Sequence, residues 1–166
     1  NDRISGKQWL VLHTHGHSDH FRGDSAFKNR PNVRLVTTSA SDVHRFFAFN
    51  TWPQRQKEID LGGRKIIVLP TPGHQEEAIT LYDEKNKWLL TGDTLYPGYI
   101  YVKHWEAYRN SIRKLASFAK DNEIHAIFGG HIEMKDQPGA YYAIGSTYQP
   151  AEAQLDLSVD SLNKLH

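Results

Sequence analysis

Between positions 13 and 20 the chain reads His-Thr-His-Gly-His-Ser-Asp-His. Inside this stretch His15, His17, Asp19 and His20 set out the pattern H-x-H-x-D-H. Three imidazoles and a carboxylate within six residues are hard to justify as packing. Four fixed residues at about 6% each coincide by chance roughly once in 10^5 start positions. Imidazole is the commonest metal ligand among side chains. Nitrogen with one oxygen suits zinc or a related transition metal, and does not suit calcium or magnesium. In extended backbone, His15 and His17 point the same way and can share one ion. Asp19 and His20 follow a turn residue, Ser18, and can face a second point in space. His13 reads as a packing or supporting residue beside the cluster.

The rest of the chain repeats one arrangement: a short apolar strand ends in a glycine-flanked ligand-type residue. Residues 8–12 (Gln-Trp-Leu-Val-Leu) are expected to be a buried strand that delivers the cluster. The β-branched strand at 65–69 ends in Pro70-Thr71-Pro72-Gly73-His74, a tight turn that presents His74. Strands at 78–82 and 87–90 are joined by a hairpin turn at 83–86, and the second ends in Thr91-Gly92-Asp93. A strand at 124–128 closes in Gly129-Gly130-His131. Ligands in α/β sheets gather at the C-terminal ends of strands, so these distant residues can converge on one pocket.

Between these strands the spacing predicts a short helix or turn over 21–29, a strand over 33–37, and a helix capped by Ser39 or Ser41 running through Phe46 and Phe47. Phe46, Phe47, Phe49 and Trp52 either wall an apolar pocket or fill a helix–sheet interface. Residues 104–120 form the clearest helix. Trp105, Tyr108, Ile112, Leu115 and Ala119 lie on one side, with Arg109, Arg113, Lys114 and Lys120 elsewhere. His44, His104 and His125 read as surface or packing residues. The alternation of Leu155, Leu157 and Val159 predicts a strand.

With 166 residues, the chain has the length of one domain, taken as 1–166, with a real core. A net charge of +1 gives no field that favours nucleic acid or anionic lipid. Cysteine is absent, which removes disulfides and thiolate ligands and leaves cytoplasmic, periplasmic and secreted locations all open. No apolar run approaches the length of a membrane span. The expected partner is a small-molecule substrate, with no nucleic acid and no membrane.

The motifs His15-Gly-His17-Ser-Asp19-His20, Thr71-Pro-Gly-His74, Thr91-Gly-Asp93 and Gly129-Gly-His131, in that order, resemble those of the metallo-β-lactamase-fold hydrolase superfamily. The resemblance implies an α/β (α+β) fold, a four-layer αββα sandwich with a two-metal site at one edge. It implies that His15, His17 and His74 hold one ion, that Asp19, His20 and His131 hold the other, and that Asp93 bridges them. The implied cofactors are two divalent ions, zinc first, with manganese or iron as alternatives. In the family several strands normally precede H-x-H-x-D-H, whereas fourteen residues precede His15 here. The expectation is therefore a sandwich lacking most of its N-terminal strands. A second chain, a homo-oligomer or a longer polypeptide would supply them.

Two such ions can clamp attacking and leaving oxygens, lower the pKa of a bound water to about 7, and polarise a carbonyl. With both aspartates ionised the pair keeps a charge of about +2, suited to an anionic tetrahedral transition state. Asp19 would orient the hydroxide and Asp93 would bridge. Tyr96, three residues past Asp93, either donates to a developing oxyanion, like a tyrosine of the lactonase branch, or only lines the pocket. The expected reaction is hydrolysis of an ester, lactone, thioester or amide, closer to the lactonase and glyoxalase II branches than to true β-lactamases. The alternatives are phosphodiester cleavage, iron-dependent redox chemistry and a non-catalytic fragment. The absence of a basic stripe with stacking aromatics weighs against a nuclease.

Overall fold

The computed structural model describes residues 6–166; the first five positions of the expected 1–166 unit lie outside the described residues. Strand β1 (Trp9–Val11) is followed by helix α1 (Ser18–Phe21), which runs into a 3-10 turn at Arg22–Ala26. Strand β2 (Val33–Leu35) and helix α2 (Ala40–Phe46) come next. Four strands then follow: β3 (Lys57–Asp60), β4 (Lys65–Pro70), β5 (Ile79–Asp83) and β6 (Trp88–Gly92). Helix α3 (Trp105–Asp121), β7 (Ala126–Gly129), β8 (Asp156–Leu157) and α4 (Val159–Asn163) complete the chain.

The strands form two sheets, a parallel β1–β2 pair and a six-stranded sheet in the order β3-β4-β5-β6-β7-β8. Antiparallel pairing runs from β3 to β6, with Leu69 opposite Thr80 and Leu81 opposite Leu90. β6 and β7 are parallel, with Leu89 beside Ile127, and α3 is the crossover that a parallel pair needs. These directions decide where function can sit. β4, β6 and β7 point the same way, so the three segments that follow them leave from one edge of the sheet. The exit of β1 joins that edge through Thr14, whose carbonyl accepts from the Ile79 N–H at 2.8 Å.

Both faces of the large sheet are covered, which is why β4 reads Ile-Ile-Val-Leu without polar interruption. Alternate side chains go to opposite faces. Leu69, Tyr82, Leu89 and Ile127 meet Tyr108, Ile112, Leu115 and Ala116 of α3, with Leu162 of α4 joining them. On the other face Val68 and Ile79 pack against Val43, Phe47 and Phe49, with Leu12, Phe46 and Trp52 at the margin. The aromatic group at 46–52 therefore fills a helix–sheet interface. The fold is the mixed α/β arrangement expected, and among the described residues the first sheet consists of the β1–β2 pair alone.

Several expectations need correction. The strand β3 (Lys-Glu-Ile-Asp) was not foreseen, because an edge strand with one apolar residue carries almost no periodic pattern. The alternation at 155–159 yields only Asp156–Leu157. Val159 instead opens α4, because Leu162 is fully buried against α3 and a helical turn brings it there. Trp105 is 61% exposed and leaves the packed side of α3 to Tyr108 and Ile112. Ser18 is the first residue of α1 and not a turn, so Asp19 and His20 are carried on a helical turn. Ser39 is the cap of α2, accepting from the Asp42 N–H at 3.2 Å.

Candidate metal centre

The seven expected ligands come from five elements at the shared edge. His15 and His17 follow β1, Asp19 and His20 lie on α1, and His74, Asp93 and His131 follow β4, β6 and β7. Glycines permit the approach. Gly92 adopts φ +53°, and a Cβ there would meet Thr14 Oγ1 at 2.4 Å. A Cβ on Gly130 would stand 2.5 Å from Asp93 Oδ1 and 2.8 Å from His20 Cε1, so only glycine lets this loop pass behind both ligands.

The seven side chains fall into two groups able to hold an ion: His15, His17, His74 and Asp93, then Asp19, His20 and His131. In the first, His17 Nδ1 lies 3.0 Å from both His15 Nε2 and His74 Nε2. In the second, Nε2 of His20 and Nε2 of His131 are 3.3 Å apart, and Asp19 Oδ2 lies 3.4 and 3.3 Å from them. Asp93 stands between the groups. Its Oδ2 is 3.7 Å from His15, 3.5 Å from His74 and 3.4 Å from His131, while Oδ1 is 3.4 Å from His20.

Protonation follows from this crowding. Burial first, then His20 beside it, holds the His15 pKa down at about 3, so that ring is neutral at pH 7. His20 is raised, mainly through Asp93. Burial pushes Asp93 up, but His20, His15 and His131 outweigh it and keep the carboxylate below its ordinary value. His74 donates from Nδ1 to the Tyr101 carbonyl at 2.7 Å, because a carbonyl can only accept. With its Nδ1–H committed there, His74 turns Nε2 towards His17 and Asp93.

Such a set is poorly satisfied by its own hydrogen bonds. A single N–H on His17 cannot serve two imidazole lone pairs at once. The 3.4 Å approach of His20 to Asp93 Oδ1 is a charge contact without hydrogen-bond alignment. That buried oxygen has no hydrogen-bond partner among the described residues. Five converging imidazoles with two carboxylates, one of them orphaned at the centre, fit divalent cations of the zinc class.

The family model described as the metallo-beta-lactamase superfamily matches residues 10–131. The chain belongs to that superfamily. It is 26% identical over 157 residues to a hydroxyacylglutathione hydrolase of Mesorhizobium japonicum, covering 93% of this chain and 54% of that protein. It is 31% identical over 88 residues to one from Legionella pneumophila, covering 52% of this chain and 33% of that protein. The chain spans about half the length of the first of these relatives. An archaeal metallo-beta-lactamase superfamily protein from Sulfolobus tokodaii superposes with a TM-score of 0.57 at 13% identity, over 99% of this chain and 68% of that one. A metallo-beta-lactamase from Pontibacter korlensis gives 0.53 at 19% identity, over 74% and 60%. Both likenesses concern the fold.

Around the candidate centre of this metallo-β-lactamase superfamily chain, three supporting residues escaped the sequence reading. Glu77 is buried and accepts from the Gly16 N–H at 2.7 Å, pinning the turn between His15 and His17. The Gln75 side-chain amide lies against His17 Nε2. Asp24 pairs with His13 at 2.7 Å, which gives His13 a supporting place outside the two groups. Tyr96 is 3% exposed, its ring is 5.5 Å from that of His131, and its hydroxyl donates to the Tyr99 carbonyl. Burial, then Glu133, raises its pKa. The phenol proton is thus committed to the backbone, and delivery to a substrate would need that bond to open.

Proposed function

We propose that this chain carries a dinuclear metal centre that hydrolyses an acyl bond, with a thioester of a small hydroxy acid as the favoured substrate class. The observation that carries this reading is Asp93, which reaches four imidazoles of both groups while one of its oxygens has no hydrogen-bond partner. The thioester preference rests on the relatives named hydroxyacylglutathione hydrolase.

In this reading His15, His17 and His74 hold one ion, Asp19, His20 and His131 the other, and Asp93 joins them. When bound, two divalent ions, zinc first, supply an activated water and polarise the scissile carbonyl. The protein's own contribution is orientation. Tyr101 and Gln75 fix the rings of His74 and His17, and Glu77 fixes the backbone between His15 and His17. Asp19, whose side chain is 52% exposed, faces solvent at the open side. There it can accept a proton from an attacking water and orient it. The substrate enters on that side, since His15, His74 and Asp93 are closed off from solvent.

The test combines metal stoichiometry with a substrate panel. Protein stripped with chelator and dialysed should bind two equivalents of zinc by titration calorimetry, and Asp93→Ala should bind fewer. The loaded protein should cleave a hydroxyacyl thioester faster than a lactone, a β-lactam or bis-p-nitrophenyl phosphate. Binding of no zinc would sink the metal reading, and cleavage of the phosphodiester alone would sink the acyl one.

A further inference from the structure

Away from the metal centre, α3 places a lysine where lysines are rarely found. Lys114 Nζ donates to the carbonyl of Pro70 at 2.7 Å and also to the carbonyl of Pro53. It lies at the foot of an open groove of about 430 Å³ between α3, β4 and the loop at 50–56. Gln54, Gln56 and Ser117 give this groove a polar rim, and Ile67 and Phe118 give it an apolar wall. Asp121 is the one charged side chain lining it besides Lys114, and it does not pair with the amine.

A neutral amine has two N–H bonds and one lone pair. With both N–H bonds directed at the Pro53 and Pro70 carbonyls, the lone pair is left for the groove. We propose that Lys114 is an acylation site, at which its amine takes the acyl group from a thioester that enters this groove. The nitrogen lone pair attacks the thioester carbonyl, the C–N bond forms and the C–S bond breaks. The thiolate leaves, and the surplus proton on nitrogen goes to it or to solvent. The product is a neutral amide with a single N–H, so one of the two carbonyl contacts is given up. The proposal does not depend on the metal centre or on the function proposed for it.

Burial pulls the Lys114 pKa down to about 8. At pH 8 about half of such an amine is free base, against roughly 0.4% for an ordinary lysine near 10.4. If the amine follows the Brønsted slope of thiols, about 0.4–0.5, its lower basicity gives back about tenfold of that roughly 100-fold gain, leaving a rate advantage of about tenfold.

The experiment incubates the full chain at pH 8 with S-acetyl-N-acetylcysteamine, replenished so that hydrolysis does not exhaust it. Peptide mass spectrometry follows acetylation at each lysine over time. Lys120, exposed on the same helix, is the internal reference. Lys114 should react about tenfold faster than Lys120 at pH 8, and the ratio should fall through one between about pH 9 and 9.5 and below one by about pH 10.5, where both amines are largely free and the more basic one is the better nucleophile. In Lys114→Arg the fast adduct should vanish while Lys120 reacts as before. A ratio at or below one at pH 8, or a fast adduct that survives in Lys114→Arg, overturns the proposal.

Discussion

The two ligand groups meet at Asp93 but differ in almost every other respect. His15 and His74 are 2% and 4% exposed, backed by the sheet edge, and their rings are held by Thr14 and by the Tyr101 carbonyl. In the other group Asp19 is 52% exposed and His131 36%, and both Asp19 and His20 sit on a four-residue helix with no buried residue. One group is built into the core and the other is laid over its rim. A rigid, desolvated set should bind its ion tightly and hold it through turnover, whereas an open, solvated set should exchange its ion and admit substrate. The largest effect should come from the residue that belongs to both. Asp93→Ala should lower zinc affinity at each position and reduce hydrolysis at least ~100-fold, since even changes to residues behind metal ligands cost 10–100-fold. Retention of two tightly bound zinc ions in this variant would separate the groups and break the comparison.

The next test sets one histidine against another. His74→Ala should abolish tight binding of the first zinc and also lower stability, because it opens a hole beside Tyr101 and leaves Asp93 with less compensation. His131→Ala should retain about one equivalent of tightly bound zinc and melt close to the parent. Thermal denaturation with and without zinc reads both, since an ion at about 100 times its Kd adds about 2.7 kcal/mol. Equal loss of stoichiometry in the two variants would mean that the groups fill as one cooperative site.

Acidity sharpens the contrast, because His15 in one group and His20 in the other are shifted in opposite senses. In metal-free protein His15 has a folded pKa near 3, below its unfolded value of 6.5. Its contribution to stability is present above 6.5 and is lost as pH falls towards 3, because the unfolded chain takes up the proton first. His20 is raised. Its contribution is full below 6.5 and is lost as pH rises through the raised value. Imidazole proton resonances of the metal-free chain should therefore show His15 unmoved between pH 8 and 5, with His20 titrating above 6.5. A His15 that titrates near 6.5 would mean the buried group is open to water when no metal is bound.

The sequence reading reached the candidate residues of both groups more fully than the polar edges and the residues that support them, and the reasons are physical. His74, Asp93 and His131 each follow a strand whose apolar run and terminal glycine are strong local patterns, so their place at one edge was legible. The parallel direction of β4, β6 and β7 then followed from topology. Polar edges were not legible: β3 has one apolar residue, and the 155–159 alternation mimicked a strand although Leu162 made the helical choice. Supporting residues were invisible for a different reason. Glu77 and Gln75 act by reaching back across the site to Gly16 and His17, a contact between positions 61 and 58 apart that no local pattern encodes. Lys114 was set apart from the apolar side of α3, whereas its length lets it thread to two carbonyls beneath.

Gly130 probes the seam between the groups. In Gly130→Ala the new methyl would press on Asp93 Oδ1 and His20 Cε1, at 2.5 and 2.8 Å. Asp93 is held by the buried group, so the more exposed His20 should give way. Zinc in the open group should weaken about 10–100-fold, a shift comparable to losing a supporting residue. The buried zinc should bind nearly as before. Zinc titration of this variant distinguishes the two, and loss of the tighter ion first would mean that the buried group is the softer one.

The smallest effect is expected at Tyr96. Its ring packs beside His131, yet its hydroxyl is directed to the Tyr99 carbonyl, in a loop also held by the Tyr99 N–H donating to Glu133 at 2.7 Å. Tyr96→Phe removes one neutral hydrogen bond and keeps the ring, which should cost about 1 kcal/mol of stability. If the phenol stays on the backbone during turnover, kcat should fall less than about fivefold and KM should hardly move. If the hydroxyl swings to the reacting oxygen, kcat should instead fall by 10²–10³, the loss measured when a comparable donor is removed. Steady-state kinetics of this one variant on a hydroxyacyl thioester therefore decides whether Tyr96 belongs to the chemistry at the open group or to the wall behind it.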